Sequence, residues 1–302
     1  MTLDAQPRTE TPEPLYSNGL PIPLTPDCFG PLRPTAHHAA DPATLRARLR
    51  RDGYLYLPGF LDPAGVRRLR GAYFARFPAG YLAGGTAPED GVFSGTVPPG
   101  LPEYGVAGHP AHGFVRSATF ARFVDDPRLR TLAETLLGGR AELLPRRILR
   151  HYHRGSHRAS RAHVDLDYMD RMEHGGPATP AVITLWIPVG DCPGRTGPLV
   201  YLEGSHTLTP GEYEPLRDVT DRPGDRRPIS HDLAWTARSL GRRWLCTDFA
   251  AGDLMVHVPQ IIHASLDTTT DAMRLSADVR FVRSGHAPDP RWLRPWSADD
   301  GA

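Results

Sequence analysis

The sequence predicts a mainly β domain, a jelly roll with a helical flank. Helix signals come first in the chain, and strand signals dominate from Leu143 onward. No helix patterns alternate with these strands, so an antiparallel arrangement is favoured over a parallel sheet with crossover helices. The predicted strands of this second part are 143–153, 181–188, 199–203, 253–258, 261–266 and 274–282.

Three Asp-Pro pairs mark helix starts in the first half of the chain. Aspartate is a favoured cap, and proline is well tolerated at the first helical position because its missing N–H has no partner there. A strand is predicted between the first two helices, at 54–60. The predicted helices run from Asp41 to about Arg51, from Asp62 to about Phe77, and from Asp126 to the pair Gly138-Gly139.

The chain is divided into a proline-rich N-terminal arm, residues 1–40, and a single domain, residues 41–302. We expect the arm to lie against the core near residues 20–32. Segments 79–113 and 207–245 interrupt the predicted core with many glycines, prolines and charges. Long segments of this kind often carry binding residues, so they are predicted to form a lid over the site.

Composition excludes several functions. With 302 residues and a net charge of +1, the chain does not indicate a nucleic-acid partner. All 35 basic residues are arginine, which excludes lysine chemistry such as a Schiff base. Three scattered cysteines (Cys28, Cys192 and Cys246) indicate a reducing compartment. There is no leader pattern and no long apolar run, so we expect a soluble cytoplasmic protein without a membrane partner.

Two histidines and an aspartate have the spacing of a metal site. His163 and Asp165 form an H-x-D triplet, and residues i and i+2 of a strand point to the same side. With His263 from another strand they match the two-His, one-carboxylate set of non-haem Fe(II) oxygenases. Asp167 is a rival carboxylate on the same face. The triplet alone also fits a surface turn. Arg274 offers a fork for a carboxylate.

The motifs around these residues form an ordered set. It comprises DGYLYLPGFLD at 52–62, ITLWIPVGD at 183–191, GPLVYLEGSH at 197–206, AGDLMVHVPQIIH at 251–263 and MRLSADVRF at 273–281. From about residue 50 to about residue 284, this order resembles the phytanoyl-CoA dioxygenase family of Fe(II)- and 2-oxoglutarate-dependent oxygenases. The resemblance implies a double-stranded β-helix, a cupin-like jelly roll, with the metal at its open mouth.

The resemblance also implies roles for individual residues. His163, Asp165 and His263 would hold Fe(II), and Arg274 would clamp the distal carboxylate of 2-oxoglutarate. Ser265 or Ser276 would help Arg274. Trp186 lies where the family often has an aromatic side chain beside the co-substrate, although core packing is an equal alternative. Thr184 shares its face and could donate a hydrogen bond.

Substrate contacts are predicted from the segment before the triplet. His151 and His153 share one face of a strand and would line the mouth, or would be buried and hydrogen-bonded. Arg146 and Arg150 share the other face, so one could meet an anionic group, although arginine is more often solvated. Asp167 is assigned to the substrate side or to a position behind the metal ligands.

The function implied is oxidation of a small, polar metabolite with Fe(II), 2-oxoglutarate and dioxygen, in secondary-metabolite (antibiotic) biosynthesis, by a monomer or homodimer. Hydroxylation, cyclisation, desaturation and orthoester formation stay open. Two alternatives remain: a jelly-roll binding protein with a vestigial metal site, and a cupin-like metal isomerase or hydrolase. A halogenase is disfavoured because Asp165 supplies the carboxylate that those enzymes lack.

Overall fold

A computed structural model describes residues 13–36, 41–156, 159–169, 175–176, 178–217 and 227–298. The strands in chain order are β1 (Leu15–Ser17), β2 (Leu20–Ile22), β3 (Phe29–Pro31), β4 (Tyr54–Leu57), β5 (Ala141–Leu143), β6 (Ile148–Tyr152), β7 (Gly175–Gly176), β8 (Thr179–Pro180), β9 (Val182–Pro188), β10 (Leu199–Leu202), β11 (Trp244–Cys246), β12 (Leu254–His257), β13 (His263–Ser265) and β14 (Arg274–Arg283). The α-helices are α1 (Pro42–Asp52), α2 (Pro63–Phe74), α3 (Pro110–Phe114), α4 (Ala118–Val124), α5 (Pro127–Leu137), α6 (Pro210–Tyr213) and α7 (Leu233–Leu240).

The larger sheet has the order β4-β12-β9-β14, with β5 and β6 following one another along the far side of β14. Its pairings are antiparallel throughout, and β14 is its longest strand. Pro145 separates β5 from β6, where one strand over 143–153 was predicted. A proline has no N–H to continue the ladder.

The smaller sheet has the order β13-β10-β11-β3. His163 extends it beyond β13 through two backbone hydrogen bonds with His263, of 3.0 and 2.9 Å. Strand β3 belongs to the predicted N-terminal arm, yet it pairs in parallel with β11. The described part of that arm therefore completes the sheet, while residues 1–12 and 37–40 lie outside the described residues.

The two sheets form an open jelly roll, as predicted, and not a closed barrel. One group of buried apolar side chains lies between the sheets and joins them. Its members are Leu32, Tyr54, Tyr56, Trp186, Cys192, Leu199, Tyr201, Leu245, Phe249, Met255 and Ile261. The buried polar residues of the interior-facing strands lie beside this group, so the fold builds its polar site between the sheets. The three cysteines are buried free thiols.

Helices cover the outer face of the larger sheet. The three Asp-Pro starts form as predicted: Asp41, Asp62 and Asp126 each accept backbone N–H groups of the first turn. Helix α5 buries its leucines against the sheet, and each buried leucine stabilises the fold by about 1.5–3 kcal/mol. No helix in the described parts of the chain is long and apolar enough to cross a bilayer.

The two predicted lid segments differ from expectation. Segment 79–113 has no helix until α3, but the buried guanidinium of Arg70 donates to the carbonyl oxygen of Asp90 in this segment and to those of Val189 and Met273 outside it, which ties the segment to the domain. Segment 207–245 contains α6, α7 and the start of β11, so it is only partly a loop. Residues 218–226 of this segment lie outside the described residues.

Candidate metal and co-substrate site

His163, Asp165 and His263 converge between the sheets. One ligand atom from each lies within 4.8 Å of the other two, and all three residues are buried. The route to this arrangement differs from the prediction. His163 is extended and pairs with His263, but Asp165 opens a 3-10 helix, Asp165–Tyr168, instead of continuing a strand. The chain turns after Val164 and still brings the carboxylate to the two imidazoles.

Both imidazoles are held in the tautomer that a metal needs. Nδ1 of His163 donates to the carbonyl of Arg161 at 2.7 Å, and Nδ1 of His263 donates to that of Ile261 at 3.1 Å. A carbonyl only accepts, so the proton sits on Nδ1 and the Nε2 lone pair is left for a ligand bond. Burial lowers the pKa of both rings, which keeps them neutral at neutral pH.

Asp165 is surrounded by donors. Nη2 of Arg280 lies 2.9 and 2.8 Å from its two oxygens, and the Thr184 hydroxyl donates to Oδ2 at 2.7 Å. Nε2 of His257 lies 3.5 Å from the same oxygen. Burial alone would raise the pKa of Asp165, but Arg280 and then His257 hold it well below its usual range. The prediction that Thr184 contacts the co-substrate is therefore corrected: its hydroxyl orients Asp165.

Sequence reasoning missed Arg280 and His257. Both lie opposite Thr184 across the larger sheet, Arg280 on β14 and His257 on β12. Strand alternation from Arg274 places positions 276, 278 and 280 on the same face, so that signal was available for Arg280. His257 carried no signal beyond its residue type.

Arg274 is fully buried on the interior face of β14. Its Nη2 donates to Oγ of Ser276 at 3.3 Å, while Nε and Nη1 have no hydrogen-bond partner among the described residues. The Tyr152 and Trp186 rings lie 5.0 and 5.8 Å from its guanidinium carbon. A buried cation with two unmet donors costs free energy unless an acceptor arrives, so this position fits a carboxylate.

Trp186 and Ser265 have mainly structural contacts. Trp186 packs edge-on against Phe249 at 5.0 Å, as the core-packing alternative requires, and it also lies 5.8 Å from the guanidinium carbon of Arg274. Ser265 accepts the backbone N–H of Ser160 at 2.6 Å, and its hydroxyl is engaged there and not with Arg274. Ser276 is the serine that contacts the arginine.

A cleft of about 500 Å³ opens over the converging residues, with His163 and Asp165 in its lining. Arg150 and Arg146 line it, as the prediction for an inward-facing arginine requires, and Nε of Arg150 donates to Asp278 at 2.8 Å. The other walls come from the segment before α3, the end of β6, the segment before His163, the 3-10 helix and the C-terminal segment. Their lining side chains include Tyr104, Tyr152, Arg161, Tyr168, Arg291, Trp292 and Trp296.

His151 lies on the other face of β6, toward the helices, and His153 follows the end of that strand. Tyr73 and Tyr81 hydroxyls bond the two ring nitrogens of His151 at 2.9 and 3.2 Å, and burial lowers its pKa strongly. His153 stacks on Phe93 at 4.3 Å. His151 is therefore the buried, hydrogen-bonded histidine of the alternative and does not line the mouth, whereas the substrate role of His153 stays a prediction.

Asp167 is also turned away from the convergence point. Its carboxylate accepts Nη2 of Arg217 at 2.8 Å. Arg217 in turn donates to the carbonyl of Arg227 at 2.6 Å. Asp167 therefore links the 3-10 helix to segment 207–245 and does not compete with Asp165 for the same position.

A protein-family model matches the part of the chain that carries this site. The model for phytanoyl-CoA dioxygenase (PhyH) matches residues 49–276, which is most of the chain and includes every residue of the converging set. This chain belongs to the phytanoyl-CoA dioxygenase family. No curated protein sequence matches it. Within the family match lie Arg274 and Ser276, at its C-terminal end, whereas Arg280 and the C-terminal wall of the cleft lie beyond it.

Solved structures share the fold of this phytanoyl-CoA dioxygenase family member. The carbocyclase SnoK from nogalamycin biosynthesis has 17% identity and a TM-score of 0.56, covering 86% of this chain and 90% of its own. The epimerase SnoN, in complex with Fe3+, alpha ketoglutarate and nogalamycin RO, has 24% identity and a TM-score of 0.53, and the match covers 83% of this chain and 88% of SnoN. EvdO2 from Micromonospora carbonacea var. aurantiaca, complexed with 2-oxoglutarate, has 22% identity and a TM-score of 0.51, and the match covers 83% of this chain and 96% of EvdO2.

Proposed function

We propose that this protein is an Fe(II)- and 2-oxoglutarate-dependent oxygenase that oxidises a small metabolite. One observation carries the proposal: two neutral imidazoles and a carboxylate converge at the base of a cleft, and a buried arginine with two unmet donors lies on the interior of the same jelly roll. The first group matches the ligand set of non-haem iron oxygenases. The buried arginine fits one carboxylate of a dicarboxylate co-substrate.

His163, Asp165 and His263 would hold the iron. Their donor set of two nitrogens and one oxygen suits Fe(II) and leaves coordination positions for other ligands. When bound, the iron activates dioxygen in a reaction that converts 2-oxoglutarate to succinate and CO2. The chain prepares this site by fixing both tautomers through backbone carbonyls and by fixing the carboxylate through Thr184 and Arg280.

Arg274 would bind the distal carboxylate of 2-oxoglutarate. Its Nε and Nη1 are free donors, and each lies on a two-donor edge shared with Nη2, which Ser276 holds in place, so a carboxylate can contact either edge. Arg274 is fully buried beside the Tyr152 and Trp186 rings, and a charge–charge contact is stronger in such surroundings than in water. Ser276 replaces Ser265 as the helper in this proposal.

The cleft above the metal ligands would hold the substrate. Its aromatic and arginine walls suit a polar molecule with an unsaturated or ring-shaped part. Related folds include an epimerase and a carbocyclase of antibiotic biosynthesis, and a role in secondary metabolism is proposed here by that likeness. Hydroxylation, cyclisation and desaturation all begin with removal of hydrogen from a substrate carbon placed near the metal. The position of that carbon decides among them.

Succinate release tests the proposal. The protein is incubated with Fe(II), 2-oxoglutarate and dioxygen, and slow uncoupled succinate formation is expected even before the substrate is known. Asp165→Ala should abolish succinate formation. Arg274→Ala should form succinate only at a much higher concentration of 2-oxoglutarate. An anaerobic titration that shows metal binding but no 2-oxoglutarate binding would favour a metal isomerase or hydrolase instead. Absence of both would favour a binding protein.

A further inference from the structure

The cleft over the metal ligands has a strongly basic lining. Among the described residues that line it, the acidic residue is Asp165 alone, which the proposed function assigns to the metal. Five arginines share the same walls: Arg146, Arg150, Arg161, Arg280 and Arg291. Asp278, outside the lining, pairs with Arg150, and Asp165 pairs with Arg280. The chain as a whole has a net charge of +1, so this concentration of positive charge is local to the cleft.

Aromatic rings hold several of these arginines in place. The guanidinium carbon of Arg280 lies 4.1 Å from the centre of the Trp292 ring, and that of Arg146 lies 5.6 Å from the same ring. Arg291 lies 5.6 Å from the Tyr168 ring. A guanidinium whose face rests on a ring keeps its in-plane N–H edge for other acceptors. Trp292 thus orders two arginines on one wall.

Arg280 has donors beyond those that Asp165 needs. Only Nη2 contacts Asp165, while Nε and Nη1 have no hydrogen-bond partner among the described residues. The residue is 4% exposed. Unmet donors on a buried cation are costly, which points to an acceptor supplied by a ligand. Arg146 and Arg291 have other contacts of their own and add positive charge around this position.

We infer that the substrate carries an oxyanion, a carboxylate or a phosphoryl group, which binds at the edge of Arg280 near Arg146. This inference rests on the proposed function, because it assigns Asp165 to the metal and Arg274 to 2-oxoglutarate. It narrows the substrate class from a polar metabolite to an acidic one. The oxyanion end would anchor at the Trp292 wall, and the carbon to be oxidised would lie toward His163 and His263.

Matched small probes test the charge preference without turnover. The protein is loaded with Zn(II), which undergoes no redox change, and saturated with 2-oxoglutarate so that Arg274 is occupied. Binding of benzoate, phenyl phosphate and neutral benzamide is then measured by calorimetry. At least one anion should bind about ten-fold or more tightly than benzamide, as expected for a hydrogen bond to a charged group. The stronger anion distinguishes a carboxylate site from a phosphoryl site.

Two variants test which arginines cause the preference for anions over benzamide. Arg146→Gln removes a charge from the wall, and Arg280→Lys keeps the charge but removes the planar fork. Each should reduce the anion preference about ten-fold, with benzamide binding unchanged. Folding of each variant is checked by circular dichroism, so a misfolded variant is recognised, and Zn(II) and 2-oxoglutarate binding are measured separately in the same samples. Arg68→Gln is the control, because that arginine is on α2, with a side chain 73% exposed and paired with Asp62.

The outcomes separate this inference from the proposed function. Equal binding of anions and benzamide to the wild-type protein, with 2-oxoglutarate bound normally, overturns the inference and leaves the function standing. Loss of 2-oxoglutarate binding in Arg146→Gln overturns it too, since that arginine would then serve the co-substrate. Failure of the wild-type protein to bind 2-oxoglutarate overturns both. An equal loss of preference in Arg68→Gln also counts against it.

Discussion

Nη2 of Arg280 lies 2.9 Å from Oδ1 and 2.8 Å from Oδ2 of Asp165, and both side chains are 4% exposed. Thr184 adds a second donor on Oδ2, whereas Oδ1 is the oxygen that faces Nε2 of His263, at 3.9 Å. The carboxylate is therefore oriented by its protein neighbours, with the less engaged oxygen toward the imidazoles. Breaking a buried pair of this kind costs about 3–5 kcal/mol, so the orientation is strongly held.

Removal of the Thr184 hydroxyl should weaken metal binding. In Thr184→Val, Oδ2 of Asp165 loses its shortest hydrogen bond while the shape of the side chain is kept. Partners that orient a metal ligand contribute about 10- to 100-fold to metal affinity. We expect a loss of that size for Fe(II), measured by anaerobic competition with a chelator of known affinity.

Two further variants control this prediction. Thr184→Ser keeps a hydroxyl and should recover most of the affinity. Thr236→Val removes an equally buried hydroxyl on α7, where it donates to the carbonyl of Asp232, and should leave metal binding unchanged. Wild-type affinity in Thr184→Val would show that Arg280 alone orients the carboxylate.

Arg274→Ala should raise the 2-oxoglutarate requirement and leave iron bound. Truncating one partner of a buried charge pair costs about 2–5 kcal/mol, or roughly 30- to 5,000-fold in affinity. Titration of 2-oxoglutarate into the Fe(II)-loaded protein under nitrogen measures this directly. Ser276→Ala should have a smaller effect because it removes only the 3.3 Å contact to Nη2. Unchanged 2-oxoglutarate affinity in Arg274→Ala would transfer the role to Arg146 or Arg150.

The sequence was sufficient to predict the jelly roll and the residues that converge. The Asp-Pro helix starts depend on local cap chemistry, and a local pattern is enough to predict them. His163, Asp165 and His263 were predicted from residue type and spacing, yet the strand assumed for Asp165 was wrong. The Asp165 side chain at the start of the 3-10 helix contacts Arg280 and Thr184, which come from other strands, and a local pattern does not include such contacts.

The local pattern could not decide which face of a strand points to the interior of the jelly roll. Strand β6 is buried on both sides, by the interior on one and by helices on the other, so polarity does not alternate along it. Arg150 and Tyr152 point to the interior, and His151 points to the helical layer. A one-residue shift in this choice moves every side chain to the other face. The same uncertainty concealed His257, which required the register of β12 against β9.

His109 should make the protein less stable in mild acid. Burial, and then the charges of His112 and His153, lower its pKa from 6.5 to about 4. The folded state therefore favours the neutral ring, and the unfolded chain takes up a proton first as pH falls. The stability that the protein gains from a neutral His109 is complete above pH 6.5. About 3 kcal/mol of the free energy of unfolding is lost as pH decreases toward 4. Denaturant unfolding of the metal-free protein at several pH values measures it.

His109→Asn isolates this effect. Nδ1 of His109 accepts the backbone N–H of Ala111 at 3.2 Å and caps α3, and asparagine is a good cap without a titrating group. The variant should lose less stability between pH 6.5 and 4 than the wild-type protein. His231→Asn, at an exposed histidine, is the control. Identical pH profiles for His109→Asn and wild type would assign the acid sensitivity to other groups, such as His151.

The contact between Asp167 and Arg217 should restrain the lid. Arg217 binds Asp167 beside the metal ligands and also binds the carbonyl of Arg227, so it joins the two described ends of segment 207–245 to the 3-10 helix. Arg217→Ala should speed amide hydrogen exchange in residues 205–217 and 227–231. The backbone hydrogen bonds between His163 and His263 should stay protected, since they do not depend on this contact.

Substrate should have the opposite effect on exchange. Tyr104, Gly105 and Pro228 line the cleft, so a bound substrate contacts both predicted lid segments. Exchange in 79–113, 207–245 or both should slow in the wild-type protein, and Arg217→Ala should need more substrate to reach the same protection. Arg238→Ala, at an exposed arginine on α7, should behave as wild type. Protection confined to residues 1–40 would assign the lid to the N-terminal arm, whose Asn18 also lines the cleft.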